Sequence, residues 1–185
     1  MTTSLSICSS ALLMIGADEI SSFEEGSREA KLCANLYDVT LDELLQLYPW
    51  RFATAQKQLG RLAADPLFGY RHAFQLPADM LRVLATDTGR DYRLFENKLY
   101  SNAQTMRITY LQRPTEEKLP AYFVRALELK MAEILALALQ EDSAKSRLMA
   151  EKAQAQVLRA RGVDAQQQTT PLLDESNFTL TQVRG

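Results

Sequence analysis

The spacing of the apolar residues changes twice along this chain, and that change restricts its fold more than any other feature. Over the first 48 residues apolar positions recur every three or four residues, which predicts amphipathic helices. Between residues 68 and 113 they alternate with polar positions, which predicts strands. Helical spacing returns after Pro114. The pattern predicts an α+β protein, in which helices from both ends share one core and a small antiparallel β-sheet is inserted between them.

Four helices are predicted, over residues 4–15, 27–48, 120–141 and 143–161. Gly16 and Gly162 are expected to end the first and the fourth, because glycine readily adopts the left-handed conformation that closes many helices. Ser22 and Glu25 have the spacing of a capping box ahead of the second helix. The third helix is apolar around much of its circumference, so we expect it to be the central, buried member of a four-helix bundle.

The β insertion is predicted to contain three to five strands, mostly antiparallel. The connections between the alternating segments are too short for the crossovers that parallel strands require. In the sequence PLFGYRHAFQLPADMLRV, Tyr70 and His72 are expected on one face of a strand. Pro77 and Asp79 then predict a turn, in which the Asp79 carboxylate accepts hydrogen bonds from nearby backbone amides.

The only tryptophan lies where the second helical pattern ends, in the sequence LYPWRFATAQ. Pro49 lacks a backbone N–H and disfavours helical geometry at the residue before it, so the helix must stop or bend there. Proline also suits the first position of a helix, and this predicts a short second helical piece over PWRFATAQKQL. Trp50 and Phe52 are expected to fill the corner between the two pieces. The alternative is that Trp50 stacks on a base or a sugar.

Composition and charge bear on the class of partner. The chain has 185 residues, of which 46% are apolar, and a formal net charge of −2 with acidic and basic residues interleaved. Proteins that grip nucleic acid by its phosphates concentrate Lys and Arg on one surface, so tight DNA binding is not expected. The start MTTSLSICSSALLMIG lacks the basic residues of a signal peptide. No apolar run approaches the length of a membrane span.

Few residues could carry chemistry. His72 is the only histidine, and the sequence contains no nucleophile-elbow, phosphate-binding or dinucleotide-binding motif. We therefore expect no catalytic residue and no cofactor. Cys8 and Cys33 with one histidine do not make a zinc site, and we expect two buried thiols, although a disulfide is compatible with the sequence. Adjacent carboxylates such as Glu24 and Glu25 are expected to serve helix ends and solvation.

Residues 163–185 differ in character from the single domain predicted for residues 1–162. They are too polar to form a core of their own, which predicts an extended C-terminal arm. The arm residues expected to bind a partner are Leu172, Leu173, Phe178, Leu180 and Val183. Such a segment gains order by adding a strand to a sheet edge or by placing alternate side chains in pockets. The alternative is a frayed terminus, and in either case we expect the domain to fold without residues 163–185.

Four segments, taken in order, carry a resemblance to a known family. They are YPWRFATAQKQL, PLFGYRHAFQLPADMLRV, a strand ending in ITYLQRP, and LPAYFVRALELKMAEILALAL. Over residues 5–161 the chain resembles the tail tubular protein A family of short-tailed bacteriophages. The motif positions that we single out are Pro49, Trp50, Phe52, Tyr70, Leu76, Pro77 and Asp79.

The resemblance implies a virion structural protein and not an enzyme. Members of this family are head-to-tail adaptors that form rings, usually of twelve subunits, below the portal at the capsid vertex. The implied partners are the portal protein, the neighbouring adaptor subunits, the nozzle protein and a tail fibre or tailspike. DNA would pass through the lumen without specific binding, and no membrane would be involved. The implied location is the head-tail interface of the virion, after synthesis in the host cytoplasm.

Two alternative functions stay open at this point. A tail-associated cell-wall hydrolase would need acidic residues that converge in a pocket. A nucleic-acid-binding factor would need a basic face on the folded protein.

Overall fold

The computed structural model describes residues 2–64, 66–67, 69–87 and 91–167. Within these residues the chain is an α+β protein with four α-helices and two antiparallel sheets of three strands each. The helices are α1 (Ser4–Ile15), α2 (Arg28–Gln46), α3 (Ala121–Gln140) and α4 (Ser143–Ala165). The strands are β1 (Thr54–Gln58), β2 (His72–Gln75), β3 (Met80–Thr86), β4 (Tyr92–Phe95), β5 (Lys98–Ser101) and β6 (Arg107–Gln112).

The helices, the first sheet and the second sheet form three successive layers. The first sheet has the strand order β1-β6-β3, and the second has the order β2-β5-β4. Side chains on the two faces of β6 enter different cores: Leu111 packs with the helices, whereas Ile108 and Tyr110 face the second sheet. Phe74 and Leu99 complete that smaller core from the second sheet. The first sheet is therefore the layer that connects the helices to the outer sheet.

The third helix occupies the centre of the helical layer, as its apolar circumference predicted. α1, α2 and α4 all pack against α3. The buried side chains of α3 are Phe123, Ala126, Leu127, Leu129, Met131, Ala132, Leu135 and Ala136. No helix within the described residues combines the length and the apolar character needed to cross a membrane.

The two glycines expected to end helices behave differently. Gly16 closes α1 with a φ of 77°, in the left-handed region that glycine adopts without steric cost. Gly162 does not end α4, which continues to Ala165. Glycine weakens a helix but does not forbid it, and Asp164 forms hydrogen bonds that hold the last turn. The boundary predicted at residue 162 therefore falls inside a helix.

The start of α2 depends on Glu25, and one of the two bonds of the predicted capping box forms, from the Ser22 N–H to the Glu25 carboxylate, although the helix begins only after Ser27. The N-cap is Ser27, whose hydroxyl accepts the backbone N–H of Ala30 at 3.1 Å. The Glu25 carboxylate accepts the Ser27 hydroxyl at 2.6 Å and the backbone N–H groups of Ser21 and Ser22. These hydrogen bonds, the one from the Ser27 hydroxyl first, lower the pKa of Glu25 from 4.5 to about 2.

The β insertion is larger than predicted. The segment PWRFATAQKQL, predicted as helical, forms one turn of 3-10 helix over Arg51–Ala53 and then strand β1. Strand β1 pairs with β6 in antiparallel register, with Ala55 opposite Tyr110. Ala, Gln and Lys are good helix formers, but helix propensity is a small free energy per residue, and pairing along a central strand outweighs it. The insertion therefore starts at Thr54 and contains two sheets instead of one.

Between residues 68 and 113 the structure contains five strands, all paired in antiparallel fashion, as predicted. The β4–β5 hairpin turns through Glu96 and Asn97, whose φ angles of 51° and 55° match a two-residue hairpin loop. The strand expected around Tyr70 is shorter than predicted, since β2 begins only at His72. Gly69, with a φ of 88°, interrupts the extended backbone before it.

The turn between β2 and β3 is closed by the backbone. The N–H of Met80 donates to the carbonyl oxygen of Pro77 at 3.3 Å. Among the bonds described around this turn, Asp79 contributes its carbonyl oxygen, which accepts the N–H of Arg113 at 2.9 Å, and not the carboxylate that the sequence suggested.

Cys8 on α1 and Cys33 on α2 are both free and buried in the helical core. The interpretation as two buried thiols is confirmed. A hydrogen bond with Cys33, together with burial, raises the pKa of Cys8, so this thiol stays protonated at neutral pH.

Glu25→Gln is expected to flatten the acid dependence of stability. A carboxyl group whose pKa is lowered by folding stabilises the folded state above its ordinary pKa of 4.5, and this contribution is lost as the pH falls towards about 2. The wild-type chain should therefore lose more stability over this interval than Glu25→Gln. Denaturant unfolding at a series of pH values measures the difference, with Glu24→Gln as the neighbouring control. Equal slopes for wild type and Glu25→Gln would contradict the assigned bonds.

Candidate functional site

The corner at Pro49 and Trp50 joins the end of α2 to the β insertion. The Trp50 side chain is completely buried, and its indole N–H donates to the carbonyl oxygen of Leu44 at 3.0 Å. Its ring meets Tyr48 and Phe123 edge to face, with centroid distances of 5.3 and 5.2 Å. A ring enclosed in this way, with its N–H paired, has no free face for a base or a sugar. The structure supports the interpretation of Trp50 as a corner residue.

A second ring extends this aromatic cluster along α3. Phe52 lies edge to face with Phe123 at 4.9 Å and with Tyr122 at 6.2 Å between ring centroids. Aromatic pairs of this kind contribute about 0.5–1.5 kcal/mol each beyond the area they bury. Pro49 itself is exposed and follows the end of α2 at Gln46. The corner therefore lies between a helix and a strand, and not between two helices as predicted.

Asp164 closes the corner from the other end of the chain, and sequence reasoning missed it by placing it in the arm. Its carboxylate is completely buried and accepts the backbone N–H of Arg51 at 2.8 Å and the hydroxyl of Tyr122 at 2.9 Å. A buried carboxylate is tolerated when such donors replace water. Burial and the bond to Asp164 raise the pKa of Tyr122, so the phenol stays protonated and donates. The signal in the sequence is spacing, because Asp164 follows Ala160 by four residues on the buried stripe of α4.

The end of α4 is also held from the solvent side. The guanidinium of Arg161 lies over the ring of Tyr48, 4.7 Å from its centroid. Exposed cation–π contacts contribute about 0.5–1 kcal/mol. The last turns of α4 are therefore fixed at the corner by one buried carboxylate and one exposed cation.

The remaining motif residues flank strand β2 and lie outside the strands themselves. Tyr70 is half-buried and precedes β2, whereas Leu76 and Pro77 are buried at the turn before β3. Leu76 packs in the small core between the sheets, whereas Trp50 packs in the helical core. The structure therefore does not bring the two halves of the motif into one site, and each half supports a different core.

Arg113 connects the turn after β2 to helix α2. Its backbone N–H donates to Asp79, and its guanidinium forms ion pairs with Asp38 and, at 3.2 Å, with Asp42. A guanidinium shared between two carboxylates makes charge-assisted hydrogen bonds, which are stronger than neutral ones. Asp79 therefore belongs to a link between layers, although through its backbone.

The histidine lies where the sequence predicted, within β2. His72 is buried, and among the described residues neither of its ring nitrogens has a hydrogen-bond partner. Ser101 stands opposite it on β5, but the Ser101 hydroxyl donates to the carbonyl oxygen of Asp91 at 3.3 Å. A catalytic triad requires a base that bonds both the nucleophile and an orienting acid. His72 forms neither bond within the described part of the chain. Across all the residues that the structure describes, no group of three or more His, Cys, Asp or Glu side chains is placed to hold a metal ion.

A shallow cleft lies on the outer face of the second sheet, with a volume of about 270 Å³. The rings of Phe95 and Tyr100 stack beside it with a centroid distance of 3.9 Å. Its charged lining residues, Glu96 and Lys98, pair with each other at 3.4 Å. The cleft is therefore largely apolar, and its charges are directed at each other.

Comparison with protein-family models and with curated proteins finds no match for this chain. The five arm residues, Leu172, Leu173, Phe178, Leu180 and Val183, lie outside the described residues. Of the candidate sites, the corner of Trp50 and Asp164 has the best-defined geometry. Its contacts connect the helices to the start of the β insertion, which is a structural role.

Trp50→Ala is expected to destabilise the protein by about 3–5 kcal/mol, because it removes a fully buried ring and leaves a cavity. Thermal unfolding measures the loss. Phe95→Ala is the matched control, since it removes an aromatic ring that is about half exposed, and it should cost clearly less. A Trp50→Ala protein that melts like wild type but loses a binding partner would place this residue at an interface instead.

Asp164→Ala is expected to cost about 1–3 kcal/mol, because it removes a buried acceptor and leaves the partly buried Arg51 N–H and Tyr122 hydroxyl without it. Residues 163–185, without which the domain is expected to fold, therefore include one buried carboxylate that stabilises it. A chain ending at residue 162 should be less stable than one ending at residue 167, which keeps Asp164. Denaturant unfolding of both truncated chains provides the test, and equal stability would show that this carboxylate is not structural.

Proposed function

We propose that this protein is a virion structural protein of a short-tailed bacteriophage, a head-to-tail adaptor that forms a ring below the portal. One observation carries the proposal. Two separate segments of the family resemblance, around Trp50 and around Phe123, pack directly on each other at 5.2 Å between ring centroids. The segments that carry the resemblance therefore pack in one core, as parts of one structural unit would.

In this proposal the four helices form the bundle that is the body of each subunit, with the two sheets as its insertion. The arm starts after residue 167, beyond the helical turn that Asp164 holds, and contacts the portal protein or a neighbouring subunit. Twelve subunits would extend the DNA channel without binding DNA specifically. The ring would sit at the head-tail interface of the virion and provide a platform for the nozzle protein and a tail fibre or tailspike.

The proposal is tested by assembly on a template. Interfaces of mixed charge associate weakly in free solution, so light scattering should find a monomer or a small oligomer of the isolated chain. Electron microscopy of the chain mixed with the portal protein of the same phage should then show a closed ring under the portal. A chain that stays monomeric and ignores the portal would contradict the proposal.

Deleting residues 168–185 is expected to separate folding from assembly. The truncated chain keeps every described buried residue and should unfold at the same temperature as the full chain. It should bind the portal more weakly or close the ring less completely, because the apolar arm residues are gone. A full-length chain with Phe178→Ser and Leu180→Ser should show the same defect. If both variants assemble like wild type, the arm is only a frayed end.

A further inference from the structure

Helix α4 has a regular stripe of residues on each of two opposite sides. The inner stripe, with Met149, Ala153, Ala160 and Asp164, is buried against α3 and the corner. The outer stripe consists of Ala144, Leu148, Glu151, Ala155, Leu158 and Gly162, all of them exposed. These residues follow each other at alternating steps of four and three, which is the spacing at which one helix packs against another.

The small residues of the outer stripe leave room for close approach. A Cβ atom added at Gly162 would meet nothing within 4 Å, so no contact inside the chain requires glycine there. Glycine is nevertheless less favourable than alanine inside a helix. Gly162 and Ala155 form hollows beside Leu158, whose side chain is 59% exposed. This alternation of hollow and projection suits the side chains of a second helix.

The outer stripe is bordered by positive charge. Arg147, Lys152 and Arg159 are exposed beside it, and none of them takes part in an ion pair within the described residues. Glu151 is the one carboxylate of this face. Two copies of α4 packed on each other would bring these cations together, which is unfavourable. These cations therefore favour a partner helix that carries an acidic side chain opposite them.

Helix α2 offers such a face on its own outer side. Val39, Glu43 and Leu47 follow each other there at steps of four and are all exposed, with exposed fractions of 57% for Val39 and 66% for Leu47. Asp38 lies to one side of this stripe and is paired with the guanidinium of Arg113. Because α2 and α4 each pack against α3 with the opposite side, both outer faces are open in the same subunit.

We propose that the outer face of α4 binds the outer face of α2 on a neighbouring copy of this chain. The inference rests on the proposed ring, because a ring subunit joins its two neighbours through two different surfaces. The leucines and hollows of α4 receive Val39 and Leu47, and its cations meet Glu43. Each copy then binds one neighbour through α4 and the other neighbour through α2, so the same contact repeats around the ring.

Disulfide trapping tests this contact. A Leu158→Cys chain is mixed with a Val39→Cys chain and a mild oxidant, and the products are separated without reductant and mapped by mass spectrometry. The mixed dimer joined through positions 158 and 39 should exceed either same-variant dimer several-fold. Leu13→Cys replaces Leu158→Cys in the control, because Leu13 is exposed to nearly the same degree, 58% against 59%, on another helix. The native thiols are buried, and the joined peptides identify any product that contains them.

Charge reversal distinguishes a specific contact from collision. Arg159→Glu in the first chain or Glu43→Lys in the second should each lower the yield of mixed dimer several-fold at low salt. Both changes together should restore most of the yield. Circular dichroism verifies that these exposed substitutions leave the fold intact.

The possible outcomes separate the contact from the proposed function. An excess of mixed dimer without ring formation on the portal would support the proposed α4–α2 contact and contradict the proposed adaptor function. The converse result is a ring that forms on the portal without an excess of mixed dimer, or with dimers through Leu158→Cys alone. Either form of it would contradict the proposed α4–α2 contact and support the proposed adaptor function. Binding of duplex DNA that Arg159→Glu abolishes, with no excess of mixed dimer, would make the basic face a nucleic-acid surface and overturn the contact.

Discussion

One buried carboxylate and the two groups that donate to it fix how three elements of the fold meet. Asp164, near the end of α4, receives the backbone N–H of Arg51 and the hydroxyl of Tyr122 on α3. Because a buried carboxylate is stable only with such partners, the three elements must meet at one point. Trp50 lies beside that point, inside the helical core. The chain is therefore tied together where its helical part gives way to the β insertion.

This joint explains how the layers and the surfaces are arranged. Strand β1 starts directly after the corner and pairs with β6, whose two faces supply both cores. The orientation of the sheets relative to the helices is thereby fixed at residues 51–54. The same joint holds the inner stripe of α4 against the protein and leaves the outer stripe to the solvent. In the proposed ring, a subunit built in this way would present these outer helical faces to its neighbours.

Much of this arrangement could be predicted from periodicity, and the exceptions have physical causes. The four helices and the antiparallel strands follow local spacing, and the burial of Trp50 follows from a large ring next to a proline. Strand β1 could not be predicted, because its residues favour a helix locally and its partner β6 lies about 50 residues away in the sequence. Asp164 could not be assigned, because an acidic residue is buried only when donors from distant elements meet it. The outer stripe of α4 is readable in the sequence, but only the packing on α3 shows which of its two stripes faces inward.

Native-state hydrogen exchange tests the central claim most directly. The amide of Arg51 and the indole N–H of Trp50 both donate within the corner. If the corner joins the helices and the sheets into one cooperative unit, these two protons should exchange only on global unfolding, with the same free energy as amides in the middle of α3. Exchange of both protons through local opening, far faster than in α3, would contradict the account and would show that the helices and the β insertion are held together in some other way.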